Sequence, residues 1–253
     1  MVVDGTMLPL GNVTGYADDW KFGSVQNLEA ADTPADIWAY GNDSTGANRA
    51  ATKTFPSTAS ALYVTSESTA DVAVGVTVTY LSSSGATATS TEITMTGQTP
   101  INFATGLDIN RMEATSSTTA VGNIYGTVNN NFTAGIPDTP SEVIALIPAT
   151  YGQTQQSMYT VPLAKTLVMR DLKITVSRAS GAAGSATVTL KIMKSGQQSV
   201  VKREFFPTSS LPIDGGVDGT VCPALAQIVW RVETVSDADT NVSASWRYEL
   251  IDD

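Results

Sequence analysis

The chain has 253 residues, one cysteine and no histidine, and a net charge of −10 carried on only 15% charged residues. The lone Cys222 excludes an intrachain disulfide and the staples of small secreted domains, and the lack of histidine removes the usual proton shuttle and the commonest zinc ligand. The acidic balance argues against nucleic acid, whose binding rests on basic patches set against phosphates, and leaves another protein or a glycan as partner.

Serine, threonine, alanine, valine and glycine dominate, while lysine and glutamate are scarce. Threonine and valine favour pleated, half-buried surfaces, so the expected class is all-β: two β-sandwich domains in tandem, jelly-roll or Ig-like, behind an irregular N-terminal arm. The length suits two domains of about 100 residues each. No run of roughly 18 apolar residues offers a membrane span, and MVVDGTMLPL lacks the basic n-region and long apolar h-region of a signal peptide. The expectation is a soluble protein made in a cytoplasm, with no membrane partner.

Met1–Ala35 reads as the arm. Gly5, Gly11, Gly15 and Gly23 interrupt it, and Asp4, Asp18, Asp19, Glu29 and Asp32 oppose a single Lys21. Tyr16, Trp20 and Phe22 are its apolar anchors and the candidate partner-binding residues. They dock on a neighbouring subunit, or else cover an edge of their own domain. Residues 36–130 read as the first β-domain. Thr33-Pro34-Ala35-Asp36 predicts a capped helical turn through Tyr40, followed by a turn-rich loop at Gly41–Gly46. Strands are expected at Leu62–Val64, Val72–Tyr80, Thr91–Thr96, Ile101–Phe103, Leu107–Ile109 and Ile124–Val128, at sandwich-like spacing. In the clearest of them, Val72, Val74, Val76, Val78 and Tyr80 share one face. Asn129–Pro140 (NNNFTAGIPDTP) has no pattern and predicts a linker at 131–140.

Residues 141–253 read as the second β-domain. It opens on an apolar run from Val143 to Ile147 ended by Pro148. The stretch Gly152–Arg178 leads through Tyr159-Thr-Val-Pro162 and Leu163-Ala164-Lys165 into a strand with Leu172, Ile174 and Val176 on one face. A turn at Gly181–Gly184 precedes a strand carrying Ala186, Val188, Leu190 and Ile192 inward. Further strands are expected at Val200–Phe206, at Ile228–Val235 and at Val242–Ile251, the last regular enough to be paired on both sides. Residues 36–130 carry seven acids and three bases, and 141–253 eleven acids and ten bases, eight of the ten lying between Lys165 and Arg203. That split suggests a second domain facing an acidic surface; the ordinary reading is solvated strand faces and loop tips.

No motif carries chemistry. Asp237-x-Asp239-x-Asn241 starts like a calcium loop, but Val242 stands where glycine and Tyr248 where glutamate is needed. Asp214-Gly-Gly-Val-Asp218-Gly219 pairs two carboxylates that could hold a weak calcium or act on a glycoside, though a turn explains them. Cys222 reads as a small buried apolar side chain. The sequons at Asn12, Asn42, Asn131 and Asn241 are chance matches in a Ser/Thr-rich chain. No phosphate loop, G-x-S-x-G or dinucleotide fingerprint is present. The expectation is no catalytic site, no cofactor and no metal.

Two stretches resemble a family of virion structural proteins of tailed bacteriophages. The first runs from Asp36-Ile-Trp38 through Phe55-Pro56, Leu62–Asp71, Val72–Tyr80, Thr91–Gly97, Ile109-Asn-Arg111 and Gly122-Asn-Ile124. The second joins Gly152-Gln153, Tyr159–Pro162 and Lys165-Thr166. This chain departs from its relatives in having Ala164 where they tend to have a glycine before the lysine. The resemblance implies a β-rich, non-enzymatic particle component in many copies, found in the virion and assembled in the host bacterial cytoplasm. A capsid decoration or cement protein on the major capsid protein, or other virion proteins, as a homotrimer, is the first expectation. A head fibre or tail component binding a host-surface glycan is the alternative, and it calls for exposed loop aromatics; Tyr151, Trp38 and Tyr40 are available.

Overall fold

The structure, a computed structural model, describes residues 16–41, 50–116, 118–178, 184–194, 198–209, 211–215 and 219–253. Among these the strands in chain order are β1 Tyr16–Leu28, β2 Ala35–Asp36, β3 Ser60–Ser66, β4 Gly75–Ser82, β5 Thr87–Thr89, β6 Ile93–Thr94, β7 Ile101–Ala114, β8 Ile124–Thr127, β9 Phe132–Thr133 and β10 Ile136–Pro137. They continue with β11 Val143–Ile147, β12 Met158–Thr160, β13 Lys165–Arg178, β14 Ala186–Met193, β15 Val200–Phe205, β16 Ile213–Asp214, β17 Val221–Cys222, β18 Gln227–Val235 and β19 Thr240–Asp252. The class is all-β, and among the described residues no helix is long and apolar enough to cross a membrane.

Two five-stranded sheets make a sandwich. One has the order β1-β19-β13-β16 with β17 also on β13, the other β12-β18-β14-β15 with β2 on β18. The period-2 residues expected to point inward do so. Leu172, Ile174 and Val176 of β13 and Val242, Ala244, Trp246 and Tyr248 of β19 face Ala186, Val188, Leu190 and Ile192 of β14 and Ile228, Trp230 and Val232 of β18. Each large apolar side chain buried this way contributes roughly 1.5–3 kcal/mol. β19 is hydrogen-bonded on both sides, to β1 and to β13.

The seven-stranded sheet, β11-β8-β3-β7-β4-β5 with β6 on β4, wraps a second core around Leu62, Val64, Val76, Val78, Ile109, Met112 and Ile124. A third cluster, with Trp38, Tyr40, Tyr125, Val143, Leu146, Met158 and Val229, lies between this sheet and the sandwich.

Several elements differ from the sequence expectation. Within the arm, Tyr16–Leu28 is a regular strand paired with β19 over almost its whole length. Its inward positions are Lys21, Gly23 and Val25, all buried, and two of the three are not apolar side chains, so no alternation shows. β2 joins β18 instead of opening a capped turn. The buried Asp36 carboxylate takes Arg231 Nε at 2.6 Å and the Lys53 amide at 2.7 Å, and a 3-10 turn follows at Ala39–Gly41. Val72 is exposed and β4 begins at Gly75, because Asp71 pins the preceding turn. The two strands expected at 101–103 and 107–109 are one, β7. The linker segment holds a small hairpin, β9 with β10. β11 pairs with β8 and so belongs to the seven-stranded sheet rather than to the sandwich that follows it. Residues 1–15, most of the Gly41–Gly46 loop, most of the Gly181–Gly184 turn, Asn12, Asn42 and Asp218 lie outside the described residues.

Candidate functional site

The side chains that could carry chemistry are mostly consumed inside the fold. Lys53 Nζ sits 2.7 Å from Asp108 with both side chains buried, and the same carboxylate accepts the Ile109 amide at 2.8 Å and the Thr160 hydroxyl at 2.5 Å. A depression of about 490 Å³ beside them, walled by Phe55, Leu81, Leu107, Met193 and Leu225, therefore finds its one carboxylate already held by three partners. Lys21 lies over the Tyr159 ring and donates to the Asn110 carbonyl. Burial, then the nearby Lys53 and Arg111 charges, lower its pKa to about 7. Asn110 also exchanges two 2.9 Å bonds with the backbone of Thr160, and Gln156 Nε2 reaches the carbonyls of Ile109 and Asn110 at 3.1 Å each. These bonds form a polar seam joining β7 to the sandwich.

Tyr16 heads β1, opposite Ile251. Trp20 is half exposed, and Phe22 is partly buried beside Gln156. Asp18 and Asp19 of the arm are used internally: Asp18 takes a bidentate pair of 2.8 Å bonds from Arg247, and Asp19 meets Arg111 at 3.3 Å. Asp214 is exposed opposite Lys173. Asp237 accepts the Ser236 hydroxyl and Asn241 the Asn27 amide, as turn residues do. Among the described residues no group of three His, Cys, Asp or Glu side chains is placed to hold a metal. Cys222 is fully buried, and burial pushes its thiol pKa up to about 12, so it packs as a small hydrophobe. Four of the eight bases between Lys165 and Arg203 are paired: Lys165 meets Asp252, Arg170 Glu249, Arg178 Asp237 and Lys191 Glu233.

Of the three available aromatics, Trp38 and Tyr40 are buried while Tyr151 is 48% exposed. Residues 152–154 run antiparallel beside the end of β7 through a single bridge, Gln153 opposite Glu113, with Ala114 N–H to the Gly152 carbonyl at 2.8 Å and Thr154 N–H to the Met112 carbonyl at 3.0 Å; beyond it Gln156 bridges Phe22 and Trp38. Thr154 and Gln156 turn inward with Asn110 and Met112. Arg111, Glu113, Gln153 and Gln155 therefore share the outer face, beside Tyr151, and line a depression of about 450 Å³. Arg111 ties the ladder together, 2.6 Å from Glu113 and 2.9 Å from Gln153 Oε1. A smaller depression of about 170 Å³, with Ser24, Gln26 and Asn123, shares Tyr151 and Gln155 with it. Sequence reasoning noted Tyr151 but not its partners. The available signal was the i, i+2 spacing of planar polar side chains at 111 and 113 and again at 153 and 155.

No protein-family model and no curated protein matches the sequence. Among solved structures, infectious bursal disease virus, Gt strain, aligns over 94% of this chain and 73% of its own at 11% identity and a TM-score of 0.25. The VP2 subviral particle of infectious bursal disease virus aligns over 94% and 72% at 12% identity and a TM-score of 0.23. At TM-scores this low the likeness settles neither fold nor function.

Proposed function

We propose that the chain is a non-enzymatic structural subunit of a tailed-bacteriophage virion, specifically a capsid decoration or cement protein that docks as a homotrimer on the major capsid protein. The sequence resemblance supplies the virion. The observation that carries the docking role is Trp20, whose ring is half exposed on a strand that β19 holds in place. A large aromatic on a rigid strand loses little freedom on binding, and binding energy concentrates in such residues. Phe206 and Leu211, 64% and 66% exposed, add apolar surface of the kind that contacts between subunits cover.

The copy number of the protein in purified virions, with heads and tails separated, tests this reading. Hundreds of copies following the heads support decoration, and absence from virions overturns it. Because β1 belongs to the sandwich, the docking test is Trp20→Ala, not removal of the arm. The variant keeps its melting temperature and loses about 2 kcal/mol or more of affinity for bare heads; undiminished docking refutes Trp20 as anchor.

A second reading, a head fibre or tail component on a host-surface glycan, is favoured by the exposure of Tyr151 in its polar groove. It calls for about a dozen copies following tails or a vertex, and for purified protein that blocks adsorption.

A further inference from the structure

We infer that the groove around Tyr151 is a binding site for a neutral oligosaccharide. The inference rests on the premise of the second reading that this chain binds glycan, and not on where in a particle it sits. A pyranose presents an apolar C–H face and a rim of hydroxyls, each both donor and acceptor. Its complement is an aromatic plate with planar side chains around it that can donate and accept in pairs. Tyr151 offers the plate, and Arg111, Glu113, Gln153 and Gln155 the planar groups.

The arrangement is built before any ligand arrives. Main-chain bonds at Ala114 and Thr154 clamp the ladder, so its four polar side chains stand on rigid backbone. Tyr151 is set by strain as well. Thr150, immediately before it, is a β-branched residue at φ +69°, held there by its own N–H to the Ala120 carbonyl at 3.1 Å and by Tyr151 N–H to the Pro148 carbonyl at 3.0 Å. A threonine in that region is a genuine outlier, and such strain gathers where a side chain must be presented in one way.

The ligand class follows from charge and shape. Arg111 is matched by Glu113 at 2.6 Å and Asp19 at 3.3 Å, so the groove has no free positive charge for a sulfate or uronate. The chain's net charge of −10 opposes an anionic glycan further. Two depressions share Tyr151 and Gln155 in their linings, so the polar surface around the ring is longer than either alone, which suits several linked sugars better than one.

The test titrates the full chain with neutral oligomers of glucose, galactose, mannose and N-acetylglucosamine, and with an oligo-uronate as anionic control, read by saturation-transfer NMR and calorimetry. At least one neutral series binds, more tightly with length, and the uronate does not. Tyr151→Ala weakens that binding about tenfold or more, the equivalent of one lost stacking contact, with melting temperature unchanged. Tyr151→Phe, which keeps the ring, restores it to within a few-fold. Failure of every neutral series, tighter binding of the uronate, or wild-type affinity in Tyr151→Ala overturns the inference. Host-cell adhesion untouched by Tyr151→Ala refutes the site and leaves the fibre reading standing; loss of sugar binding and of cell binding in the wild type removes both.

Discussion

Replacing Lys21 with methionine tests the polar seam where β1, β7 and the segment before β13 meet. Burial, followed by repulsion from Lys53 and Arg111, lowers the ammonium pKa from 10.5 to about 7. At about 1.36 kcal/mol per pKa unit, that difference corresponds to about 5 kcal/mol against burying the charged form. Between about pH 7 and 10.5 the unfolded chain holds a proton that the folded chain has released. Lys21 therefore makes stability rise with pH across that window, and its full penalty is present below pH 7, where both states are charged. Methionine keeps the stem and drops the charge. The Asn110 carbonyl that loses the ammonium still accepts from Gln156 at 3.1 Å, and the lost charged hydrogen bond returns about 2 kcal/mol to the wild type. The variant is then more stable than wild type by roughly 3 kcal/mol at pH 6, and the advantage disappears by about pH 10. Urea unfolding of both chains from pH 6 to 10, followed by tryptophan fluorescence, measures it. Cys222, pushed up from 9 to about 12 by burial, lowers stability above pH 9 in both chains alike, so the difference between them isolates Lys21. A difference that does not change with pH refutes the assignment of a buried, discharged lysine.

Two further substitutions probe the backbone and the turns. Ala164→Gly relieves a left-handed alanine at φ +58° and raises stability by roughly 0.5–1 kcal/mol, about 1–4 °C in melting temperature; no gain by calorimetry means the turn is unstrained. Asp71→Ala strands the Ser66 hydroxyl and the amides of Val121 and Gly122, which its buried carboxylate accepts at 2.6, 2.8 and 3.1 Å. It lowers stability by about 3 kcal/mol, or 6–12 °C, and a drop under 1 °C shows the turn holding without it.

The sandwich was legible because its strands bury one face each. Leu172, Ile174 and Val176, or Ile228, Trp230 and Val232, repeat with period 2, and β19 does so along most of its length. β1 was illegible for a physical reason. Gly23 occupies an inward position because a Cβ there would collide with the Ser157 amide and come within 2.6 Å of the Ile37 carbonyl, and Lys21 is inward because the seam gives it a carbonyl and a ring. β11 failed differently: all five residues of VIALI are buried, and a strand covered on both faces carries no period to say which sheet it joins. Ile144, Ala145 and Ile147 enter the second core while Val143 and Leu146 enter the third. The departure at Ala164, visible in the sequence only as a missing glycine, coincides with a left-handed backbone. The spacing at 111 and 113 and at 153 and 155 hinted at two polar faces, but nothing in the sequence joined them, because the pairs lie some forty residues apart and only the pairing of 152–154 with the end of β7 aligns them.

That pairing explains why the seam is polar. An apolar contact between β7 and residues 153–160 would be non-directional, and a slip of one residue would be resisted only by packing. The bonds observed are directional. Asn110 meets Thr160 with both halves of its amide, Gln156 reaches two successive carbonyls, and Thr154 meets Met112 through its backbone. Each belongs to an inward residue, and together they admit one register. Because side chains alternate, fixing the inward set also fixes the outward one. A one-residue slip would turn Gln153 and Gln155 away from Arg111 and Glu113 and dismantle the outer ladder. Buried polar groups of this kind are weak contributors to net stability, and here they act as a register lock. The same lock holds Lys21 of β1 against β7, so the strand that presents Trp20 and the groove beside Tyr151 are fixed to one frame.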